Sequence, residues 1–173
     1  RSRPFALVTG ASSGIGLELA RELARKGFDL LLTSEDGRLE SAARQVEHHG
    51  AEVETFTADL SRDEGVDALY RRVREMGRPL DAVALNAGVG AGGAFVDNSL
   101  EAEMKLIRLN VVSTVHLAKH VVRDMVARGE GRVLITASIA AETPGAYAAV
   151  YNASKAFGMS FGEALHNELQ DTG

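Results

Sequence analysis

Phe5-Ala6-Leu7-Val8-Thr9-Gly10-Ala11-Ser12-Ser13-Gly14-Ile15-Gly16 decides how the chain is read, because it passes from an apolar run through closely spaced glycines into a helical pattern. Phe5 to Val8 reads as a strand, and Leu17, Leu19, Ala20, Leu23 and Ala24 recur at helical spacing until Gly27 stops the helix. Strand, glycine loop and helix in that order open a mononucleotide-binding unit. Glycines at such a junction let the main chain approach a pyrophosphate, whose charge the N–H groups of the helix start attract. Gly10, Ser12, Ser13, Gly14, Ile15 and Gly16 are therefore the first cofactor-binding candidates, with Ser12 and Ser13 adding hydroxyl donors. Taken alone, the same glycines also suit a tight structural turn. The spacing G-x-x-x-G-x-G differs by one inserted residue from the commoner dinucleotide fingerprint.

Composition bounds what can surround this unit. With 173 residues, 45% of them hydrophobic and 25% charged, residues 1–173 fit one globular domain with a sizeable core. No apolar run approaches membrane-spanning length. The net charge of -5 disfavours nucleic acid or an anionic membrane as partner. The absence of cysteine rules out disulfides and thiolate chemistry and fits a reducing compartment, so a cytoplasmic location is the expectation. No metal site is expected. The chain begins at Arg1 rather than methionine, and this start carries no information about targeting.

Downstream, strands and helices alternate. Phe28 to Thr33 is a second apolar run, followed by Ser34-Glu35-Asp36-Gly37 as a turn and helix start. An adenosine ribose would sit at this strand's end, where an acid favours NAD and an arginine accommodates the phosphate of NADP. Thr33 and Ser34 are neutral, Glu35 and Asp36 acidic, and Arg38 lies just beyond. This mixture predicts weak discrimination between NAD and NADP with a slight lean to NADP. Glu35 and Asp36 also suit a helix start, where the dipole favours acids. A helix from Arg38 to His49 precedes a strand from Glu52 to Thr57 and the stretch Ala58-Asp59-Leu60-Ser61. Asp59 suits either an adenine contact or a turn in which Ser61 caps the next helix, Glu64 to Met76. The strand Leu80 to Leu85 runs into Asn86-Ala87-Gly88, and the glycine-rich loop Val89 to Phe95 borders a possible substrate pocket.

Ser99 to Arg128 reads as one long helix with two apolar stripes. Met104, Ile107, Val111, Ala118, Val122 and Met125 make the first, and Leu109, Val112, Leu117 and Val121 the second, so one should face the sheet and the other a partner subunit. Asn110 interrupts the pattern, either as a core amide satisfied by backbone or for a functional reason. A fifth strand, Arg132 to Ile135, ends near Ser138. Tyr151-Asn152-Ala153-Ser154-Lys155 then offers a phenol and an ammonium one helical turn apart. A lysine cation beside a phenol favours the phenolate, which makes such a pair a candidate general acid/base.

Thr9 to Gly16, Asn86 to Gly88, Asn110, Ser138, Tyr151 and Lys155 form an ordered set spanning essentially the whole chain. With its T-G-x-x-x-G-x-G, N-A-G and Y-x-x-x-K, the set resembles the short-chain dehydrogenase/reductase family. The resemblance implies an α/β, doubly wound, Rossmann-type parallel sheet with strands in the order 3-2-1-4-5. It implies an NAD(P)-dependent oxidoreductase that interconverts an alcohol and a carbonyl. Tyr151 would then give or take the hydroxyl proton, and Ser138 would orient the substrate oxygen. Lys155 would hold the nicotinamide ribose and favour the Tyr151 phenolate, while Asn110 would anchor a relay water. Gly10, Ser12, Ser13, Gly14, Ile15, Gly16, Ser34, Asp59, Leu60, Asn86, Ala87, Gly88, Tyr151 and Lys155 would bind the cofactor. Ala140, Ala146, Tyr147 and Val89 suggest an apolar pocket wall around a small-molecule alcohol or ketone.

Family members continue beyond the helix that starts at Tyr151, with a sixth strand, a turn near the nicotinamide and a seventh strand. The expectation is therefore a C-terminally incomplete domain with an exposed fifth strand. Helices 99–128 and 151–170 build a subunit interface in the family, which implies a homodimer here and a tetramer only if the full-length chain exists. A non-catalytic dinucleotide-binding or assembly module of the same fold is the alternative.

Overall fold

The computed structural model of the chain describes residues 3–172. Five parallel strands, β1 (Phe5–Thr9), β2 (Asp29–Ser34), β3 (Val53–Thr57), β4 (Ala82–Leu85) and β5 (Arg132–Ile135), form one sheet in the order β3-β2-β1-β4-β5. That is the order expected from the sequence. Helices α1 (Gly14–Arg25), α2 (Leu39–Glu47) and α3 (Asp63–Glu75) connect the first four strands. After β4 come α4 (Leu100–Ile107), a π-helical segment (Arg108–Val112) and α5 (Ser113–Arg128); after β5 come a 3-10 turn (Ile139–Ala141) and α6 (Ala149–Leu169).

Parallel strands covered on both faces read as continuous apolar runs, and here side-chain parity divides the core in two. Phe5, Leu7, Leu31, Val83 and Leu85 point to one face and pack with Val66 and Leu69 of α3 and Leu117, Val121 and Met125 of α5. Ala6, Val8, Leu30, Leu32 and Ala84 point to the other, against Ala20 and Ala24 of α1 and Ala43 and Val46 of α2. The alanines on this second face bring α1 close to β1, so the glycine loop between them lies directly over the sheet edge.

The expected helix from Ser99 to Arg128 is present but not as one α-helix. The π segment at Arg108–Val112 inserts an i→i+5 turn, which shifts the helical phase, so neither apolar stripe runs through as expected. Ala118 and Met125 from the first stripe join Leu109, Leu117 and Val121 from the second in the core, whereas Val112 of the second is 42% exposed. The carbonyls at the π segment are satisfied by side chains: Ser113 Oγ donates to Leu109 O at 2.6 Å and Thr114 Oγ1 to Asn110 O at 3.1 Å. The sequence also offered Ser61 as the cap of α3. The helix starts at Asp63 with Arg62 in the cap position. Among the described residues, no helix is long and apolar enough to cross a membrane.

Candidate active site

Thr9, the last residue of β1, ties the carboxyl ends of β1 and β4 together. Its hydroxyl donates to Ala84 O at 3.3 Å and accepts the N–H groups of Asn86 and Ala87, each at 2.9 Å. Asn86 completes the clamp by donating Nδ2–H to Thr9 O at 3.1 Å and accepting Thr136 Oγ1–H at 3.0 Å, which brings in the end of β5. Three strand ends are thus held in register where a parallel sheet binds its ligands.

The glycine loop crosses this clamp with no room to spare. Gly10 adopts φ 64°, a left-handed conformation that suits glycine, and a Cβ at Gly16 would lie 2.1 Å from Gly10 O and 2.5 Å from Asn86 Nδ2. The first amides of α1 have no partner within the helix, and Ser13 at its N-cap makes no side-chain capping bond to them. They are left for an anion, and the residues present fit a dinucleotide pyrophosphate.

A cleft of about 390 Å³ opens here, lined by Gly10, Ser13, Ile15, Gly16, Asn86, Gly88, Val89, Gly90, Thr136, Ala137, Ser138, Tyr151 and Lys155. Nine of the candidate site residues therefore meet at one surface, although Gly10 and Lys155 lie 145 positions apart in the chain. A larger groove of about 640 Å³ runs between α5, β5 and α6 and contains none of them. Lys155 Nζ donates to Thr136 O at 3.3 Å and lies 5.9 Å from the Tyr151 ring centre. Burial pulls the Lys155 ammonium below the ordinary lysine range, since a low-dielectric surrounding disfavours the cation.

Asn110 lies in the π segment and is buried, with both amide hydrogens committed. Its Nδ2 donates to Val89 O at 2.9 Å and to Ser154 Oγ at 3.0 Å, while Oδ1 accepts Val89 N–H at 2.9 Å. Ser154 in turn donates to Tyr151 O at 2.7 Å. Asn110 thereby joins the loop after β4 to the helix turn that carries Tyr151 and Lys155, and one lone pair of Oδ1 remains for a further donor. Gly88 lets the loop pass, because a Cβ there would meet Asn110 Oδ1 at 3.1 Å and Lys155 Nζ at 3.4 Å. Ser138 caps the 3-10 turn, its Oγ accepting Ala140 N–H at 3.2 Å.

Around the end of β2, several candidates engage one another. Ser12 Oγ donates to Asp36 Oδ2 at 2.6 Å, Ser34 Oγ donates to Ser12 Oγ at 3.1 Å, and Arg38 Nη2 donates to Asp36 Oδ2 at 3.0 Å. These bonds, that of Arg38 foremost, hold the Asp36 carboxyl well below the usual carboxylate range. Ser12 accordingly faces the ribose end rather than the phosphate cradle. Glu35 points away and pairs with Lys105 at 3.2 Å. Asp59 folds back on its own turn: its Oδ1 accepts Ser61 N–H at 2.9 Å and Ser61 Oγ–H at 2.6 Å, which lowers its pKa. The Leu60 side chain is in the core, so only its main chain can meet a cofactor. Of the suggested pocket wall, Val89 lines the cleft, while Ala146 lies in a separate groove against Asn152 and Ala156. Tyr147 is 71% exposed at φ 61° and accepts Gly93 N–H at 2.8 Å, joining the two loops at the mouth.

The sequence reading gave no role to the Thr9 hydroxyl, Thr136 or Ser154. Thr9 follows the apolar run directly and Ser154 sits mid-helix, both detectable as polar interruptions, but their partners lie 75 and 44 positions away.

Comparison with known proteins meets this geometry independently. A family model described as short chain dehydrogenase matches residues 4–173. The chain is 34% identical over 176 residues to a very-long-chain 3-oxoacyl-CoA reductase of Neurospora crassa, covering 98% of this chain and 52% of that protein. It superposes on a short-chain dehydrogenase from Sphingobium yanoikuyae in complex with NADPH at TM-score 0.91 and 35% identity, over 98% of this chain and 66% of the other. L-sorbose reductase from Gluconobacter frateurii, complexed with NADPH and L-sorbose, superposes at TM-score 0.90 and 35% identity, over 99% and 66%. The chain thus spans about half the length of the fungal relative and about two thirds of these solved chains. Sheet order, glycine loop and matched family model agree: the chain belongs to the short-chain dehydrogenase family.

Proposed function

We propose that the protein is an NAD(P)-dependent oxidoreductase that interconverts an alcohol and a carbonyl at the cleft between the glycine loop and α6. The observation that carries this reading is the convergence of Ser138, Tyr151 and Lys155 on the same cleft as Gly10 and Gly16, with Asn110 bracing the turn that holds the pair. A bound dinucleotide supplies the hydride chemistry. Tyr151 gives its hydroxyl proton to the substrate oxygen during reduction and takes it back during oxidation. Ser138 orients that oxygen by a hydrogen bond. Lys155, whose burial eases loss of its own proton, holds the nicotinamide ribose and passes the proton on. Asn110 positions Lys155 through Ser154 and offers its remaining lone pair to a relay water. Gly10, Ser13, Gly14, Ile15 and Gly16 hold the pyrophosphate, Ser12, Ser34, Asp59 and Leu60 border the adenosine, and Asn86, Ala87 and Gly88 border the nicotinamide side.

The test is a panel of ketones and secondary alcohols assayed by NAD(P)H absorbance. Turnover that follows cofactor concentration supports the proposal. Cofactor binding without turnover of any panel member would favour a non-catalytic dinucleotide-binding module.

We further infer a weak preference for NADP. The Ser12 and Ser34 hydroxyls and the exposed Arg38 guanidinium suit a 2′-phosphate, while the ionised Asp36 beside them opposes it. Several similar solved proteins hold NADPH or NADP. NADPH should bind more tightly than NADH by less than about tenfold, and Arg38→Ala should abolish the difference. A preference for NADH above about tenfold, roughly 1.4 kcal/mol, overturns this inference.

We also propose a homodimer through residues 99–128 and 151–170. Met104, Val112 and Val126 on α4 to α5 and Met159 on α6 are each 38–42% exposed and would be buried across a two-fold axis. Light scattering should give twice the monomer mass, and a monomer would refute the interface. A tetramer would need the family's C-terminal elements.

A further inference from the structure

A second cluster of titratable side chains lies outside the cleft, where α3 packs on α5. His116 and His120 stand one helical turn apart on α5 and face Asp67 on α3. His116 Nε2 is 2.9 Å from Asp67 Oδ1 and His120 Nε2 is 3.7 Å from the same oxygen, and the three ligand atoms all lie within 4.8 Å of one another. In a tetrahedral zinc site, bonds of about 2.1 Å place ligand atoms roughly 3.4 Å apart, so the observed spacings bracket what a metal would impose.

The surroundings support coordination beyond the three ligands. Asp63 Oδ1 lies 3.7 Å from His116 Nδ1, the nitrogen opposite the cluster, where a carboxylate fixes the tautomer and orientation of a metal-bound imidazole. Tyr70 stacks on His120 with ring centres 4.3 Å apart and planes 14° from parallel. Its hydroxyl donates to Asp124 at 2.9 Å, so the platform beneath His120 is itself anchored. Both histidines are half-buried while Asp67 is exposed, which gives an ion a way in and leaves room for a fourth, water ligand. Two imidazoles and one carboxylate suit zinc and not magnesium or calcium, which take oxygen ligands.

We propose that Asp67, His116 and His120 form a zinc site that clips α3 to α5. No metal site is expected from the sequence; Asp67 and His116 are 49 positions apart, and the packing of α3 on α5 brings them together. The proposal is independent of the oxidoreductase reading, since none of these residues lines the cleft.

Isothermal titration of tag-free, chelator-treated protein with zinc chloride tests it. One equivalent should bind and raise Tm, as any ligand of the folded state does. His116→Ala and His120→Ala should each weaken binding by about tenfold or more and remove the Tm shift. Asp67→Asn, at an exposed position that tolerates change, should weaken it too and guards against misfolding of the alanine variants. Cobalt bound in place of zinc should show visible absorption of a four-coordinate ion. A His48→Ala/His49→Ala variant should bind as the parent does. Failure to bind one equivalent, unchanged affinity in His116→Ala and Asp67→Asn, or loss of binding on replacing His48 and His49 would each overturn the proposal.

Discussion

Tyr151→Phe is expected to lower kcat of the active protein by about 100-fold or more, the usual scale for a general acid/base group. The substitution removes only the hydroxyl. Its aromatic ring, 5.9 Å from Lys155 Nζ, and the helix turn held by the Ser154 to Tyr151 hydrogen bond both stay in place. Cofactor affinity should therefore change little, and the loss should appear in kcat rather than in the dissociation constant for NADPH. A phenylalanine variant with near-parental kcat would remove Tyr151 from the proton-transfer role. A variant that loses cofactor binding together with activity would instead assign Tyr151 to binding.

The second large effect lies in stability. Gly16→Ala places a Cβ 2.1 Å from Gly10 O and 2.5 Å from Asn86 Nδ2, distances that real side chains do not tolerate. The neighbours cannot yield cheaply. Gly10 follows Thr9, which bonds three main-chain groups of β4 and the loop after it, and Asn86 is tied to both Thr9 and Thr136. Overpacking against main chain in a clamped site should destabilise by about 3 kcal/mol, the upper end for such changes. It should also displace α1 from the cleft and abolish dinucleotide binding. Gly158→Ala is the internal control: its Cβ would meet only Ile135 Cγ2, at an ordinary 3.7 Å, in the middle of α6. Alanine is the better helix former there, by up to about 1 kcal/mol. Denaturant midpoints should move in opposite directions for the two variants. A Gly16→Ala protein as stable as its parent would contradict the close packing of the glycine loop.

Much of the architecture was legible because it depends on local rules. Apolar runs four to six residues long, such as Phe5 to Val8 and Phe28 to Thr33, can only be buried strands when helical patterns alternate with them. Glycine between strand and helix marks the place where the chain must turn tightly. Tyr151 and Lys155 could be paired from spacing alone, since four residues is one helical turn. These inferences need no knowledge of what packs against what, so strand order, cleft edge and candidate site residues followed once the family resemblance was seen.

What the sequence by itself determined, then, is the periodic skeleton and the residue types offered at the ends of its strands. Tertiary structure decided the rest wherever the partner of a polar group lies far along the chain. Asn110 marked an irregularity in a helical pattern, but that the helix takes up a π segment there, and that its amide bonds Val89 and Ser154, depends on contacts with two other segments. Asp36 and Asp59 each had two open readings at sequence level. The fold supplied their hydrogen-bond partners, drawing Asp36 to Ser12 and Arg38 and Asp59 back onto Ser61. The cluster of Asp67, His116 and His120 was invisible for the same reason. Periodicity reports which face of an element is apolar, whereas a buried or bridging polar group must find a specific partner, and only the packed fold determines which partner is within reach.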